Sequence, residues 1–81
     1  MTNNHKDNME GVDSMEINVT AVRLAMANRG MTLTQLAKKA HISQQTACRY
    51  VTHGGNGSAP TFYKIGKALG VEPSSLVLVR Q

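Results

Sequence analysis

The segment from Thr32 to Tyr50, TLTQLAKKAHISQQTACRY, constrains the fold most, because it predicts two short helices joined by a tight turn. Thr32 can cap the first helix, and Gln35 follows it at the spacing of a capping box. His41 falls in the turn, and Ser43 is a strong cap for the second helix. The first helix carries an apolar stripe at helical spacing, formed by Leu36, Ala37 and Ala40.

The second helix of this segment has an apolar face and a polar face. The apolar face is formed by Ala47, Tyr50 and Val51. The polar face is formed by Gln44, Gln45, Cys48, Arg49 and Thr52. A solvated helix face is commonly rich in Lys and Glu, whereas this face carries two adjacent amides and one arginine. The pattern indicates a contact surface, and a helix-turn-helix with a polar second helix is typical of DNA-binding domains.

The charge of the chain is divided unevenly between its N-terminal end and the rest. Residues 1–16 hold Lys6 and four acidic side chains, for a net charge of −3. The remainder holds eight Lys or Arg against Glu72 alone, for a net charge of +7. A mildly basic surface is common in cytoplasmic domains, but this imbalance together with the helix-turn-helix pattern favours a polyanionic partner. We therefore expect the partner to be double-stranded DNA.

Three more short helices are predicted around this segment. The first helix of the chain begins after Asn18 and ends at Gly30, because glycine tolerates the left-handed conformation of a helix end. The fourth helix has Pro60 in its first turn and ends at Gly70. A fifth short helix begins at Pro73. The sequence thus predicts an all-α fold, a compact five-helix domain.

The chain of 81 residues is long enough for one small domain. We expect this helix-turn-helix domain to span residues 17–81. Residues 1–16 lack periodicity and apolar content, so we expect a disordered acidic N-terminal tail there. The loop at residues 52–59, THGGNGSA, is too rich in Gly and Asn to form regular structure.

An ordered set of short motifs resembles a known family. The motifs are Gly30-Met31-Thr32, Leu36-Ala37, Ala40-His41-Ile42-Ser43, Ile65, Ala68-Leu69-Gly70-Val71 and Leu76. In this order and at these separations they resemble the phage-repressor type of helix-turn-helix domain, the lambda-repressor-like or Xre family. The resemblance implies a transcriptional regulator, a repressor of the phage or mobile-element type, that binds a palindromic operator as a dimer.

Two departures from the family pattern concern the packing of the helices. His41 stands in the turn where the family has glycine, and His reaches the left-handed region more readily than most residues. Met26 and Val51 stand where the family often pairs an arginine with a glutamate. Exchanging both partners of an ion pair for apolar residues is often neutral or stabilising.

The candidate base-contacting residues lie on the polar face of the second helix of the motif. They are Gln44, Gln45, Thr46 and Arg49. A glutamine can pair with N6 and N7 of adenine, and an arginine with O6 and N7 of guanine. A threonine can meet a thymine methyl group or a phosphate. The alternative is that these are ordinary solvated side chains.

The candidate phosphate-contacting residues lie at the helix starts and in the loop. They are Thr32, Leu33, Thr34, Ser43, Lys38, Asn56 and Ser58. The free backbone N–H groups of Leu33 and Thr34 can point at an anion. Lys38 adds charge, and it fits equally well as a solubilising lysine.

The apolar C-terminal residues predict an interface. Val77, Leu78 and Val79 cannot all be buried by one short helix, and an exposed apolar patch indicates association. We therefore expect a two-fold homodimer through these residues, with a terminus folded back on its own core as the alternative.

Other classes of protein find little support in the sequence. Glu72 is the only acid after residue 16, so acid–base catalysis has few candidates, and we expect no enzyme and no catalytic residue. Cys48 and His53 lack the spacing of metal ligands, so we expect no metal. The loop GGNGSAPT lacks the Gly-Lys-Ser/Thr ending of a nucleotide-binding loop, so we expect no cofactor.

The single cysteine and the absence of a long apolar run predict a cytoplasmic protein with no membrane partner. Two other functions stay open at this point. One is an antitoxin that binds a toxin as its protein partner and regulates its own operon. The other is a protein-interaction module that keeps the fold without binding DNA.

Overall fold

The computed structural model describes residues 14–78, and this part of the chain is mostly helical. Four α-helices, two short strands, one π-helical turn and one 3-10 helix follow one another. They are β1 (Ser14–Glu16), α1 (Val19–Arg29), α2 (Leu33–Ala40), α3 (Gln44–Cys48), the π-helical turn (Arg49–His53), β2 (Asn56–Ser58), α4 (Ala59–Leu69) and the 3-10 helix (Pro73–Leu76). The fifth predicted helix is therefore the short 3-10 helix.

The helix boundaries are set by local capping, as the sequence predicts. Asn18 caps α1, because its Oδ1 accepts from the N–H of Ala21 at 3.1 Å. Gly30 ends that helix in the left-handed conformation, with φ at 60°. At α2 the Thr32 hydroxyl accepts from the N–H of Gln35, and the Gln35 side chain accepts from the N–H of Thr32. The predicted capping box is confirmed.

The turn between α2 and α3 is closed by His41 in the left-handed region, with φ at 58°. The N–H of His41 donates to the carbonyl of Lys38, and the N–H of Ile42 donates to the carbonyl of Ala37. This pair of bonds is the usual termination of a helix at a glycine. His41 therefore adopts the conformation that glycine usually has at this position. Its Cβ makes that left-handed conformation less favourable than it would be for glycine.

The core lies between the helices and is aliphatic apart from one aromatic pair. Its largest fully buried side chains are Tyr50, Phe62, Leu36, Ile65, Leu69, Leu76 and Val22. Met26 is buried in this core, and Val51 is half-buried and packs against the core. The two positions expected to carry an apolar pair are thus both in the apolar interior.

A small sheet corrects two expectations. Strand β1 pairs with β2 in antiparallel fashion, with Met15 opposite Gly57. Residues 14–16, expected in the disordered tail, are thus ordered, and so is part of the loop 52–59, expected to be irregular. Both expectations were wrong at these positions, because short strands without apolar alternation depend on a partner that is distant in the sequence. Residues 1–13 lie outside the described part of the chain.

The segment after β1 also pairs with the C-terminal segment. Ile17 forms an antiparallel bridge with Val77, and the N–H of Leu78 donates to the carbonyl of Glu16 at 2.8 Å. The N–H of Asn18 donates to the carbonyl of Leu76 at 2.9 Å. The N-terminal strand therefore lies between β2 and the C-terminal segment.

Replacement of His41 by glycine should stabilise the fold, because glycine adopts the left-handed conformation without a Cβ clash. We expect His41→Gly to raise the free energy of unfolding by about 0.5–1 kcal/mol, since the relief of strain exceeds the added entropy of the unfolded chain. His41→Ala is the matched control, because it keeps the Cβ and should be less stable than His41→Gly. Urea denaturation measures both, and equal stabilities of the two variants would contradict the strain.

Candidate nucleic-acid interface

The N-terminal ends of α2 and α3 lie next to each other on an exposed surface. The Nε2 of Gln44, the first residue of α3, donates to the Oγ1 of Thr34 in the first turn of α2 at 3.2 Å. The two residues are ten apart in sequence, so this bond spans the turn between the helices. Both helix starts therefore present their positive dipole ends on one surface.

A second hydrogen-bonded unit forms the start of α3. The Oγ of Ser43 accepts from the N–H of Thr46 at 3.1 Å and donates to the Oγ1 of Thr46 at 2.9 Å. The cap predicted at Ser43 is confirmed, and it also orients the Thr46 hydroxyl. Gln45 is exposed beside Gln44, so the two amides form the outer edge of the helix start.

Arg49 lies at the other end of α3, where the helix widens into the π-helical turn. The N–H of Gly54 donates to the carbonyl of Arg49 at 2.7 Å, five residues back. The exposed Arg49 side chain donates from Nη2 to the backbone carbonyl of Asn56 in β2. The structure thus groups Gln44 with Thr34, Ser43 and Thr46, and it ties Arg49 to the sheet.

The start of α2 has backbone N–H groups that its capping box leaves without an acceptor. The capping box engages the N–H groups of Thr32 and Gln35, and the N–H groups of Leu33 and Thr34 take no part in it. N–H groups in the first helical turn lack intrahelical acceptors, so they can meet an anion. The Leu33 side chain is half-buried against the core, which leaves its backbone as the contacting group.

Ser43, which caps α3, lies beside this helix start, and the remaining predicted phosphate-contacting residues lie away from it. Lys38 is exposed in the last turn of α2, at the opposite end of that helix. Asn56 and Ser58 are exposed in β2. The Ser58 hydroxyl forms a hydrogen bond with the Thr61 hydroxyl at 2.9 Å. The predicted phosphate-contacting residues are therefore divided between the adjoining starts of α2 and α3, the end of α2, and the sheet.

Tyr50 anchors the far end of α3 in the core. Its side chain is 1% exposed, and its ring meets Phe62 edge-on, with centroids 5.1 Å apart. Burial raises the pKa of the Tyr50 hydroxyl, and the Thr61 hydrogen bond, the Arg49 charge and the Ser58 backbone oppose that rise. The phenol therefore stays neutral, and it holds the π-helical turn against β2 and the start of α4.

The residues of the predicted dimer interface lie beside β1. Val77 is half-buried, and Leu78 is 38% exposed. Val77 also lines an apolar groove of about 320 Å³, together with Met15, Ala59, Phe62, Pro73 and Ser74. Val79 lies outside the described residues.

Two contacts of this surface were not predicted from the sequence. The bond between Gln44 and Thr34 could have been found, because the first turns of two helices in a helix-turn-helix must converge. The bond between Arg49 and Asn56 had no sequence signal, since the acceptor is a backbone carbonyl in a strand that the sequence did not predict. Among residues 14–78, no three His, Cys, Asp or Glu side chains cluster as metal ligands. Within residues 14–78, the helices are too short or too polar to span a bilayer.

Three solved structures with a similar fold are of much longer chains. They are a variant of hydroxyethylphosphonate dioxygenase, PhpD with cadmium and hydroethylphosphonate, and native PhpD with cadmium. Each is 24% identical to this chain, with a TM-score of 0.69 over 83% of this chain and 14% of the other. At this identity the likeness shows the fold alone. Among proteins with a curated description, none is significantly similar to this sequence.

The helices that form this surface lie within a segment that matches a known protein family. A helix-turn-helix family model, HTH_3, matches residues 22–76, which include α2, α3 and most of the core. The match covers more than half of the chain and includes the turn at His41. The protein therefore belongs to the lambda-repressor-like, Xre-type helix-turn-helix family of DNA-binding regulatory domains.

Proposed function

We propose that this protein is a sequence-specific transcriptional repressor of the phage or mobile-element type, which binds a palindromic operator as a homodimer in the cytoplasm. The observation that carries the proposal is the hydrogen bond between Gln44 and Thr34. It places an amide at the tip of α3 and two uncapped N–H groups of α2 on one exposed surface. A protein bound to a duplex contacts both phosphates and base edges, so one surface with donors for each suits this partner.

Base recognition in this proposal centres on the start of α3. The Gln44 amide has two N–H groups and a carbonyl, and Thr34 takes only one N–H. The other N–H and the carbonyl can therefore meet N7 and N6 of adenine. Gln45 contributes a second amide, and Thr46 contributes a methyl group and a hydroxyl. Arg49 contributes further donors, because one contact with Asn56 leaves most of its guanidinium available.

Phosphate contacts in this proposal come from several backbone and side-chain donors. The N–H groups of Leu33 and Thr34 bind one phosphate at the start of α2. The remaining phosphate-contacting residues are Thr32, Ser43, Lys38, Asn56 and Ser58. They fix the position of the protein on the duplex, whereas the side chains of α3 select the sequence.

The proposed dimer forms through Val77, Leu78 and Val79. The exposed Leu78 and the apolar groove lined by Val77 support this interface, because exposed apolar surface favours association between copies. Two recognition helices would then lie about 34 Å apart, one turn of DNA. Bound in this way, the dimer would repress transcription by blocking the polymerase.

Selection from a random duplex library should enrich one two-fold symmetric motif. Affinity for that motif should exceed affinity for a scrambled duplex by about 10³-fold or more, and it should fall steeply between 50 and 200 mM salt. Fluorescence anisotropy at the two salt concentrations measures both quantities. Absence of an enriched motif would contradict sequence-specific binding, and affinity independent of salt would contradict DNA binding.

Removal of the Thr34 hydroxyl should weaken binding only when Gln44 is present. We expect Thr34→Val to cost about 0.5–1.5 kcal/mol and Gln44→Ala about 1–3 kcal/mol of binding free energy at the selected site. The double variant should bind like Gln44→Ala alone, since Thr34 acts by orienting the amide. Thr20→Val, which removes an exposed hydroxyl on α1 outside this contact, is the control. Strict additivity of the two costs would contradict the orienting role.

Replacement of Leu78 should abolish the dimer without unfolding the domain. We expect Leu78→Gln to sediment as a monomer and to lose about 10²-fold or more in operator affinity, because the second half-site is no longer bound in the same complex. Leu24→Gln is the matched control, since Leu24 is 60% exposed on α1 and outside the interface. A Leu78→Gln variant that stays dimeric would contradict the proposed interface.

A further inference from the structure

A basic cleft lies between the end of α2 and the exposed side of α4. Its volume is about 440 Å³, a size that is common among sites for small molecules. The lining residues are Lys39, Ala40, His41, Tyr63, Lys64, Lys67 and Ala68. None of them belongs to the base-contacting or phosphate-contacting residues of the proposed DNA-binding surface. The cleft is therefore a separate concave site on the domain.

Three lysines meet at this cleft, and no carboxylate lines it. Lys64 and Lys67 are three residues apart on α4, so their side chains project from the same side of that helix. Lys39 belongs to the last turn of α2. The two acids in the described part of the chain, Glu16 and Glu72, are not among the lining residues. The three ammonium groups therefore repel one another, and an anion bound between them relieves that repulsion.

The cleft also has apolar and aromatic surface. Ala40 and Ala68 line it and are almost completely buried, so they form its floor. Tyr63 is 56% exposed, although its ring is large and mostly apolar. The Nζ of Lys67 lies 5.6 Å from the centre of that ring, which keeps a positive charge beside an exposed aromatic side chain. The cleft thus combines an apolar floor, an aromatic ring and three cations.

This combination distinguishes among classes of ligand. An inorganic phosphate can pair with the lysines, but it leaves the floor and the ring in contact with water. A neutral aromatic compound can cover the floor, but it leaves the three cations without an anion. A molecule with a flat aromatic ring and several phosphates satisfies both parts, because bases stack on aromatic side chains and phosphates accept hydrogen bonds from ammonium groups.

We propose that the cleft binds a nucleoside diphosphate or triphosphate. The base lies against Tyr63 and over the apolar floor, and the phosphates lie among Lys39, Lys64 and Lys67. This function goes beyond the proposed repressor function, and it uses none of the residues proposed to contact the operator. The ligand contacts are exposed and rely on charge, so binding is reversible and sensitive to salt.

A neighbouring pocket provides an internal comparison. Its volume is about 540 Å³, and it shares Lys39 with the cleft. Its other lining residues are Arg29, Gly30, Met31, Gln35 and Lys38. This pocket also has three cations, but no aromatic side chain lines it. An anion held by charge alone does not distinguish the two sites, whereas a nucleotide prefers the cleft beside Tyr63.

Titration of the isotope-labelled full chain with adenosine diphosphate, followed by NMR, tests the site. We expect saturable shifts of the backbone amides at residues 39–41 and 63–68, with a dissociation constant below about 1 mM at low salt. Pyrophosphate should bind about tenfold more weakly, because it lacks the base. Adenosine should not saturate the site, because it lacks the phosphates. Equal shifts at residues 29–31, equal affinity for pyrophosphate, or no saturable binding of adenosine diphosphate would overturn the proposal.

Two substitutions of equal charge separate specific binding from general attraction. Lys67→Gln and Arg23→Gln each remove one positive charge, and Arg23 is exposed on α1 outside both pockets. We expect Lys67→Gln to weaken binding of adenosine diphosphate about fivefold, and Arg23→Gln to change it by less than about twofold. Equal losses in the two variants would show attraction by net charge alone and overturn the site.

Replacement of the ring tests the contact with the base. Tyr63→Leu should remove the preference for adenosine diphosphate over pyrophosphate and leave the affinity for pyrophosphate unchanged. An unaltered preference in this variant would overturn the assignment of the base to Tyr63. The amide spectrum shows in the same measurement that each variant is folded. These titrations contain no DNA, so their outcome is independent of whether the protein binds an operator.

Discussion

The burial of Tyr50 is the constraint on which the placement of the recognition helix α3 depends. Its ring fills the core against Phe62, and Gly57 lies directly over its hydroxyl. A Cβ at Gly57 would overlap that hydroxyl and the adjoining ring carbons, so only glycine lets β2 approach this closely. Since Tyr50 belongs to the π-helical turn that continues α3, one side chain fixes the distance between the recognition helix and the sheet.

The recognition helix is consequently held at both ends. At its start, Gln44 is bonded to Thr34 of α2. At its end, Tyr50 is packed in the core and Arg49 is bonded to the carbonyl of Asn56 in β2. These contacts restrict both the rotation and the translation of α3, and a preorganised surface loses less conformational entropy on binding. Strand β1 contributes indirectly, because it pairs with the strand that holds Arg49.

Features determined by near neighbours could be predicted from the sequence. The capping box at Thr32, the left-handed residue His41 and the glycine that ends α1 are each determined by bonds within four or five residues. The sheet could not be predicted, because Glu16 and Asn56 pair across a long stretch of chain and neither strand has an alternating apolar pattern. The candidate site divides in the same way. Its amides and the contact between Gln44 and Thr34 follow from the helix-turn-helix pattern, whereas the acceptor of Arg49 follows from the tertiary fold.

The charge of the domain connects its stability with its function. Residues 14–78 carry seven Lys or Arg and only two acidic side chains, so the compact state is subject to self-repulsion. A small domain has little stability to spare against such repulsion. A polyanion that binds only the folded state relieves the repulsion and stabilises the fold at the same time. For a DNA-binding domain of this family, binding to DNA therefore also stabilises the folded state.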